Sequence, residues 1–143
     1  MKTQHIKIKI FIKLVDILIK EIKTDHPNVE SICVCGSSRF CAEISVIKWR
    51  FETNGIIANG LHLLPKWFTD AAGWKRDHHG AEEEGVVDVI EKVHLKKMKA
   101  SDVIVICNLD GYIGDNTRSE IKHATELGLP VYYLEPIGDA NIV

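Results

Sequence analysis

The run Asp102-Val-Ile-Val-Ile-Cys107 constrains this chain more than any other feature. A short apolar run bounded by turn signals reads as a buried strand. Ser31-Ile-Cys-Val-Cys35 has the same character, and Ile56-Ile-Ala58 and Val131-Tyr-Tyr-Leu134 are shorter examples. Between these runs lie segments with helical character. The first covers about Phe40 to Thr53 and is closed by Asn54-Gly55. The second runs from Val86 to Lys99, with Val86, Val89, Ile90, Val93 and Met98 at helical spacing. The third extends from Thr117 to about Leu127, where Gly128-Leu-Pro130 stops it. Strands alternating with helices predict an α/β domain, with an open, mostly parallel sheet, helices on both faces and right-handed crossovers. In such sheets ligands sit beyond the carboxyl ends of the strands.

Ahead of this pattern, Ile8, Phe11, Ile12, Val15, Ile19 and Ile22 recur at helical spacing, with lysines mostly on the other side. We therefore expect an amphipathic helical extension over residues 1–27, followed by the α/β domain at 28–143. Of two placements, packed on the domain or a partner subunit or lying on a membrane surface with its basic face in water, the first is expected, with no membrane partner, because few aromatics are present to anchor the helix in the interface. Residues 4–10 also alternate, which suits a short strand entering the helix. Asp25-His26-Pro27-Asn28 ends the element, because Pro27 disfavours helix at His26. Lys7, Lys9, Lys13, Asp16 and Lys20 interrupt every apolar run, so neither a spanning helix nor a secretory leader is expected.

The chain has 143 residues, which suits one domain of about 100–200 residues. Its 18 Lys+Arg against 20 Asp+Glu leave a net charge of -2, without the basic excess that marks a DNA- or RNA-binding protein. Cys33, Cys35, Cys41 and Cys107 sit in or beside apolar runs, as small buried hydrophobes of a cytoplasmic protein do. Cys33, Cys35 and Cys41 lack C-x2-C pairing, and His78-His79 have no further ligand at metal spacing, so neither metal nor cofactor is expected. Glu82-Glu83-Glu84 read as the acidic first turn of the helix that follows. The stretch from about Gly60 to Gly85 has no regular pattern, and long loops of that kind are commonly lids or binding loops. It carries Trp67, Phe68 and Trp74, planar surfaces suited to stacking a base or to pinning the loop.

Two loops leave the carboxyl ends of strands with suggestive chemistry. Gly36-Ser37-Ser38-Arg39 combines a glycine, two hydroxyls, free amides at a helix start and a guanidinium. These are parts that hold a phosphate or carboxylate, and equally parts of a turn in which a serine caps the next helix. It is neither a Walker A loop nor a dinucleotide fingerprint. The second loop, Asn108 to Glu120, concentrates Asp110, Gly111, Gly114, Asp115 and Asn116 at the sheet edge. Thr117 and Glu120 fit a capping box, with Thr117 as the cap. Glu120, one turn inside the helix, is also placed to attack a sugar's anomeric carbon through an oxocarbenium-like transition state.

Cys35-Gly36-Ser37-Ser38-Arg39, His94-Leu95-Lys96-Lys97-Met98 before Ala100-Ser101-Asp102-Val103, and Gly114 through Glu120 followed by Ala124 together resemble the nucleoside 2-deoxyribosyltransferase family and its relative, the 2'-deoxynucleoside 5'-phosphate N-hydrolase. The resemblance spans residues 31–135. It implies a flavodoxin-like or Rossmann-like domain, homo-oligomeric assembly with sites near subunit interfaces, and a nucleoside or nucleotide as ligand. It makes Glu120 the nucleophile on the deoxyribose C1', and Gly36, Ser37, Ser38 and Arg39 the loop that contacts the sugar or its 5'-phosphate. Gly114, Asn116, Thr117 and Arg118 belong to the same cradle, and Arg118 is placed to bind a phosphate or to keep Glu120 ionised. Two departures stand out. Family members carry an aspartate where this chain has His94, and Thr117 and Arg118 replace a glycine-rich spacing before the glutamate. The proton donor is then His94, whose ordinary pKa is about 6.5, or Asp110 or Asp115.

Three functions follow as expectations. One is an N-glycosidic hydrolase or transferase working through Glu120. Another is a nucleotide-binding module of the same fold without catalysis. The last is a partner-binding protein that uses its N-terminal helix.

Overall fold

The computed structural model describes residues 2–75 and 79–137. Four parallel strands form one sheet in the order β2-β1-β3-β4. They are β1 (Ser31–Gly36), β2 (Ile57–Gly60), β3 (Val103–Cys107) and β4 (Val131–Tyr133). The two central strands run in register from Ile32 opposite Val103 to Gly36 opposite Cys107. Alternation along them divides the core. Ile32, Val34, Val103, Val105 and Cys107 face one layer, and Cys33, Cys35, Ile104 and Ile106 face the other. Every β3 residue is buried, which is why that run is apolar throughout.

The first layer holds α1 (Lys2–Asp25) and α2 (Cys41–Thr53). Ile44, Ile47 and Phe51 of α2 and Val15, Leu18, Ile19 and Ile22 of α1 pack with the strands in a single core. The extension at 1–27 thus shares its core with the residues that follow. An ion pair of 2.6 Å between Arg50 and Asp16 ties the two helices at the surface. Ile8, Ile10 and Ile17 are not part of that core and remain more than half exposed. The expected strand at residues 4–10 does not form. The backbone there is helical from Lys2, continuing the helical spacing of Ile8, Phe11, Ile12 and Val15 towards the N-terminus. Among the described residues no helix is long and apolar enough to cross a membrane.

The segment between β2 and the next long helix is more regular than its sequence suggests. It contains α3 (Lys66–Ala71) and α4 (Gly80–Glu83). Glu82 and Glu83 therefore belong to α4, and they do not open the following helix. Gly85, with φ +70°, separates them from α5 (Val87–Lys99), whose first-turn acid is Asp88. The opposite face of the sheet is covered by α5 and by α6 (Asp115–Glu126), through Met98, Ile121 and Ala124.

The α6 boundary also departs from expectation. The helix starts at Asp115 with Gly114 as its cap, and Arg118 N–H donates to the Gly114 carbonyl at 3.0 Å. Thr117 is therefore inside the helix, 2% exposed, and no Thr117–Glu120 capping box forms. A glycine preceding an acidic first turn starts the helix as well as a hydroxyl cap does, and earlier.

Two contacts square the sheet ends. Asp102 Oδ2 accepts from the Glu30 and Ser31 amides at 2.9 and 3.1 Å, locking the entry of β1 to that of β3. At the far end the buried Asn108 side chain both donates to and accepts from the Glu135 backbone, at 2.9 and 2.8 Å. The chain leaves β1 towards one edge and β3 towards the other. Their carboxyl ends therefore part at a switch point, where an open parallel sheet of this flavodoxin- or Rossmann-like kind forms its crevice.

Candidate functional site

A cleft of about 690 Å³ lies at this switch point. Its walls are Gly36–Ser38 after β1, Leu61–Leu64 after β2, parts of α4 and the first turn of α5, and Tyr112 with Gly114–Thr117 and Glu120. Gly36, at the end of β1, lies opposite Cys107 of β3. A Cβ there would lie 3.0 Å from Cys107 Cβ and 3.2 Å from the Cys107 carbonyl oxygen.

Ser37 caps the 3-10 turn at Ser38–Phe40, its hydroxyl accepting from the Arg39 amide at 3.3 Å. Ser38 Oγ lies 2.6 Å from His79 Nε2, and His79 Nδ1 is 3.6 Å from Glu82. This joins the β1 loop to α4 across the cleft. The Arg39 guanidinium stacks on the Tyr112 ring at 3.6 Å and is not among the lining residues. A cation on an aromatic face is held by roughly 0.5–1 kcal/mol at an exposed site, little enough for an anion to draw it away.

The amino end of α6 opens on the cleft, and no side chain caps it. Its first amides have no intrahelical partner and carry the positive end of the helix dipole, which suits an anionic or oxygen-rich ligand. Asp115, Asn116 and Thr117 line the same wall. Asp110 does not; it is exposed in the short turn after β3, with φ +56°. Arg118 is likewise exposed and off the cleft.

Glu120 is the deepest charged group of the cleft wall, its side chain 12% exposed. Oε2 lies 2.8 Å from Nε2 of His94, which projects from α5 and is 4% exposed. No hydrogen bond of good geometry reaches Glu120 Oε2, and His94 Nδ1 on the far side of the ring has no partner either. Burial pushes the His94 pKa down, but contact with Glu120 and its negative charge outweigh that, so the net shift is upward. The carboxylate thus holds the buried imidazole towards its charged form. His94 is not a lining residue, so Glu120 is the member of the pair that meets a ligand.

Behind this pair lie Cys33 and Cys35, adjacent on one face of β1. Cys35 Sγ is 3.4 Å from His94 Nε2. The hydrogen bond between the two thiols holds Cys33 below its ordinary pKa and, with burial and the Glu120 charge, pushes Cys35 well above it. Cys41 stands apart at the start of α2, against the other face of the sheet. The sequence signal for this cluster is the i, i+2 cysteine pair on a buried strand, with His94 and Met98 at i, i+4 on the inner face of one helix.

Trp67 and Trp74 are not lining residues of the cleft. They sandwich Phe68 edge-on, at centroid distances of 5.9 and 5.7 Å, and Trp67 is 72% exposed. Trp74 packs so close to Gly80 that a Cβ there would meet its ring at 3.0 Å. The aromatics pin α3 to α4. Of the His78-His79 pair, His78 lies outside the described residues. Comparison with protein-family models, with curated proteins and with solved structures finds no match to this chain.

Proposed function

We propose that this protein cleaves the N-glycosidic bond of a nucleoside or nucleoside 5'-monophosphate, or transfers the sugar to a second base, with Glu120 as nucleophile. The observation that carries the reading is a recessed carboxylate at the switch-point cleft. Its Oε2 makes no well-formed hydrogen bond, and the buried His94 backs it at 2.8 Å. The resemblance of Gly36–Arg39 and Gly114–Glu120 to the nucleoside 2-deoxyribosyltransferases points the same way.

In this reading a carboxylate oxygen of Glu120 bonds to C1' as the bond from C1' to the base nitrogen breaks. Water or a second base then attacks C1' and frees the carboxylate. His94 positions Glu120 from behind. Asp115, which lines the cleft, is the acid that reaches the departing base. Ser37, Ser38 and the open amides of α6 hold the sugar, and Arg39 leaves Tyr112 to meet a 5'-phosphate. Four free cysteines suit a reducing, cytoplasmic setting. Assembly as a homo-oligomer belongs to the same proposal.

The test is base release from a panel of ribo- and deoxyribonucleosides and their 5'-monophosphates, with and without an acceptor base. Chelator-treated protein and its Glu120→Gln variant are compared. Release that falls at least about a thousandfold in the variant, with binding kept, supports the nucleophile. No release from any member of the panel overturns catalysis. Saturable binding of the same compounds would then support a binding module.

A further inference from the structure

The geometry points to a soft-metal site at the back of the cleft, formed by Cys33 and Cys35 of β1 and His94 of α5, with Glu120 of α6 as the fourth ligand. It goes beyond the glycosidic reading and does not depend on it. The ligand atoms of Cys33, Cys35 and His94 all lie within 4.8 Å of one another. Cys35 Sγ is 3.4 Å from His94 Nε2, and Glu120 Oε2 is 2.8 Å from the same nitrogen. A tetrahedral zinc ion with bonds of about 2.0–2.3 Å separates its ligand atoms by roughly 3.3–3.8 Å; the Cys35–His94 separation of 3.4 Å falls in that range, and Cys33 and Glu120 would each turn to complete the set.

The donor types select the metal. Two thiolates and an imidazole favour zinc and its soft or borderline neighbours over magnesium or calcium, which take oxygen ligands. The cluster also poses a problem that an ion solves. Cys33 and Cys35 are fully buried, His94 is 4% exposed, and Glu120 Oε2 has no well-formed hydrogen bond. Buried polar groups are ordinarily satisfied, and a cation here would engage Glu120 Oε2 while replacing the contacts among the two thiols and His94 Nε2 with bonds to the ion. Entry runs from the cleft past Glu120, the only one of the four that lines it. The ion would occupy the Glu120 oxygen, so on the glycosidic reading its binding silences the nucleophile.

Cobalt(II) is the probe. Titrated into reduced, chelator-treated protein, it should bind one ion per chain, with thiolate-to-cobalt charge-transfer absorption and the visible bands of a tetrahedral ion, both displaced by zinc. His94→Asn and Cys33→Ser should each weaken binding more than about a hundredfold, beyond the effect of losing a supporting partner. Glu120→Gln should weaken it about tenfold or more while keeping the thiolate band. Cys41→Ser should change nothing. Absence of the thiolate band in the unaltered protein overturns the proposal, whether or not any variant folds. So does unchanged cobalt affinity with a band of full intensity in Cys33→Ser, or loss of the band in Cys41→Ser. Because the readout is optical, failure here leaves base release untouched, and absence of base release leaves the metal site standing.

Discussion

The buried pair of His94 and Glu120 makes a prediction whose sign depends on pH. In the folded protein the His94 pKa is raised above the ordinary 6.5. Its contribution to stability is therefore fully present below the unfolded value and is lost as pH rises through the folded one. In Glu120→Gln the carboxylate that lifts the imidazole is gone. Burial and the charge of Lys97, which both lower the pKa, then outweigh the remaining influence of Cys33. The folded value falls below 6.5, and the variant loses stability as pH drops. Each unit by which the two folded values separate is worth about 1.4 kcal/mol. Removing one partner of a buried pair costs about 3–5 kcal/mol while the other is charged. We take the lower end, about 3 kcal/mol at pH 5, because the cleft wets Glu120 and the imidazole can deprotonate. As pH rises through the folded value the gap should shrink, since glutamine also removes a buried charge whose partner is then losing its proton. At roughly 3–4 °C per kcal/mol for a chain of this size, the Tm difference should start near about 10 °C at pH 5 and narrow as pH rises. Urea unfolding of both chelator-treated proteins from pH 5 to 8.5 measures this directly, and carboxylates common to both cancel in the difference. A gap that is flat with pH, or widest at alkaline pH, would refute the pairing.

Other consequences are as direct. Ile22→Ala should destabilise the protein by about 2–5 kcal/mol in urea unfolding, because Ile22 is fully buried against the sheet layer. Deleting residues 1–25 removes Val15, Leu18, Ile19 and Ile22 from that core, so the truncated chain should lose its cooperative unfolding transition; a sharp transition at native Tm would show the helix to be dispensable. Gly36→Ala drives a methyl group into Cys107 and should cost about 1–3 kcal/mol by thermal denaturation. Arg39→Met should lower the preference for a 5'-monophosphate over its nucleoside by about tenfold or more in binding titrations, the loss expected for one charge-assisted contact; an unchanged ratio would leave Arg39 as a partner of Tyr112 alone.

Most of the architecture was legible because it is written in local pattern. Apolar runs such as Ser31–Cys35 and Asp102–Cys107 become strands wherever a sheet forms, and Pro27 and Gly128-Leu-Pro130 stop their helices by backbone chemistry that needs no tertiary context. The misreadings share one cause. Thr117 and Glu120 satisfy a capping-box spacing, yet Gly114 starts the helix earlier and carries Thr117 into the interior. Glu82–Glu84 resemble a first turn, yet Gly85 turns the chain before α5 can begin. Local signals compete there, and packing chooses between them.

The candidate site divides along the same line. Sequence by itself determined that the glycine-serine loop after β1 and the loop before Glu120 lie at carboxyl ends of strands, because strand order along the chain and the parallel crossover rule leave them nowhere else. Only the tertiary structure decided which side chains meet. Cys33, Cys35, His94 and Glu120 come from three elements spread over residues 33–120. The sheet register and the seating of α5 and α6 on one face bring their polar atoms together, at distances no spacing encodes. Arg39 turned onto Tyr112, Asp110 left outside, and Trp74 spent on pinning Gly80 are decisions of the same kind. Burial and contact are properties of the packed chain, and the chemistry of this cleft depends on both.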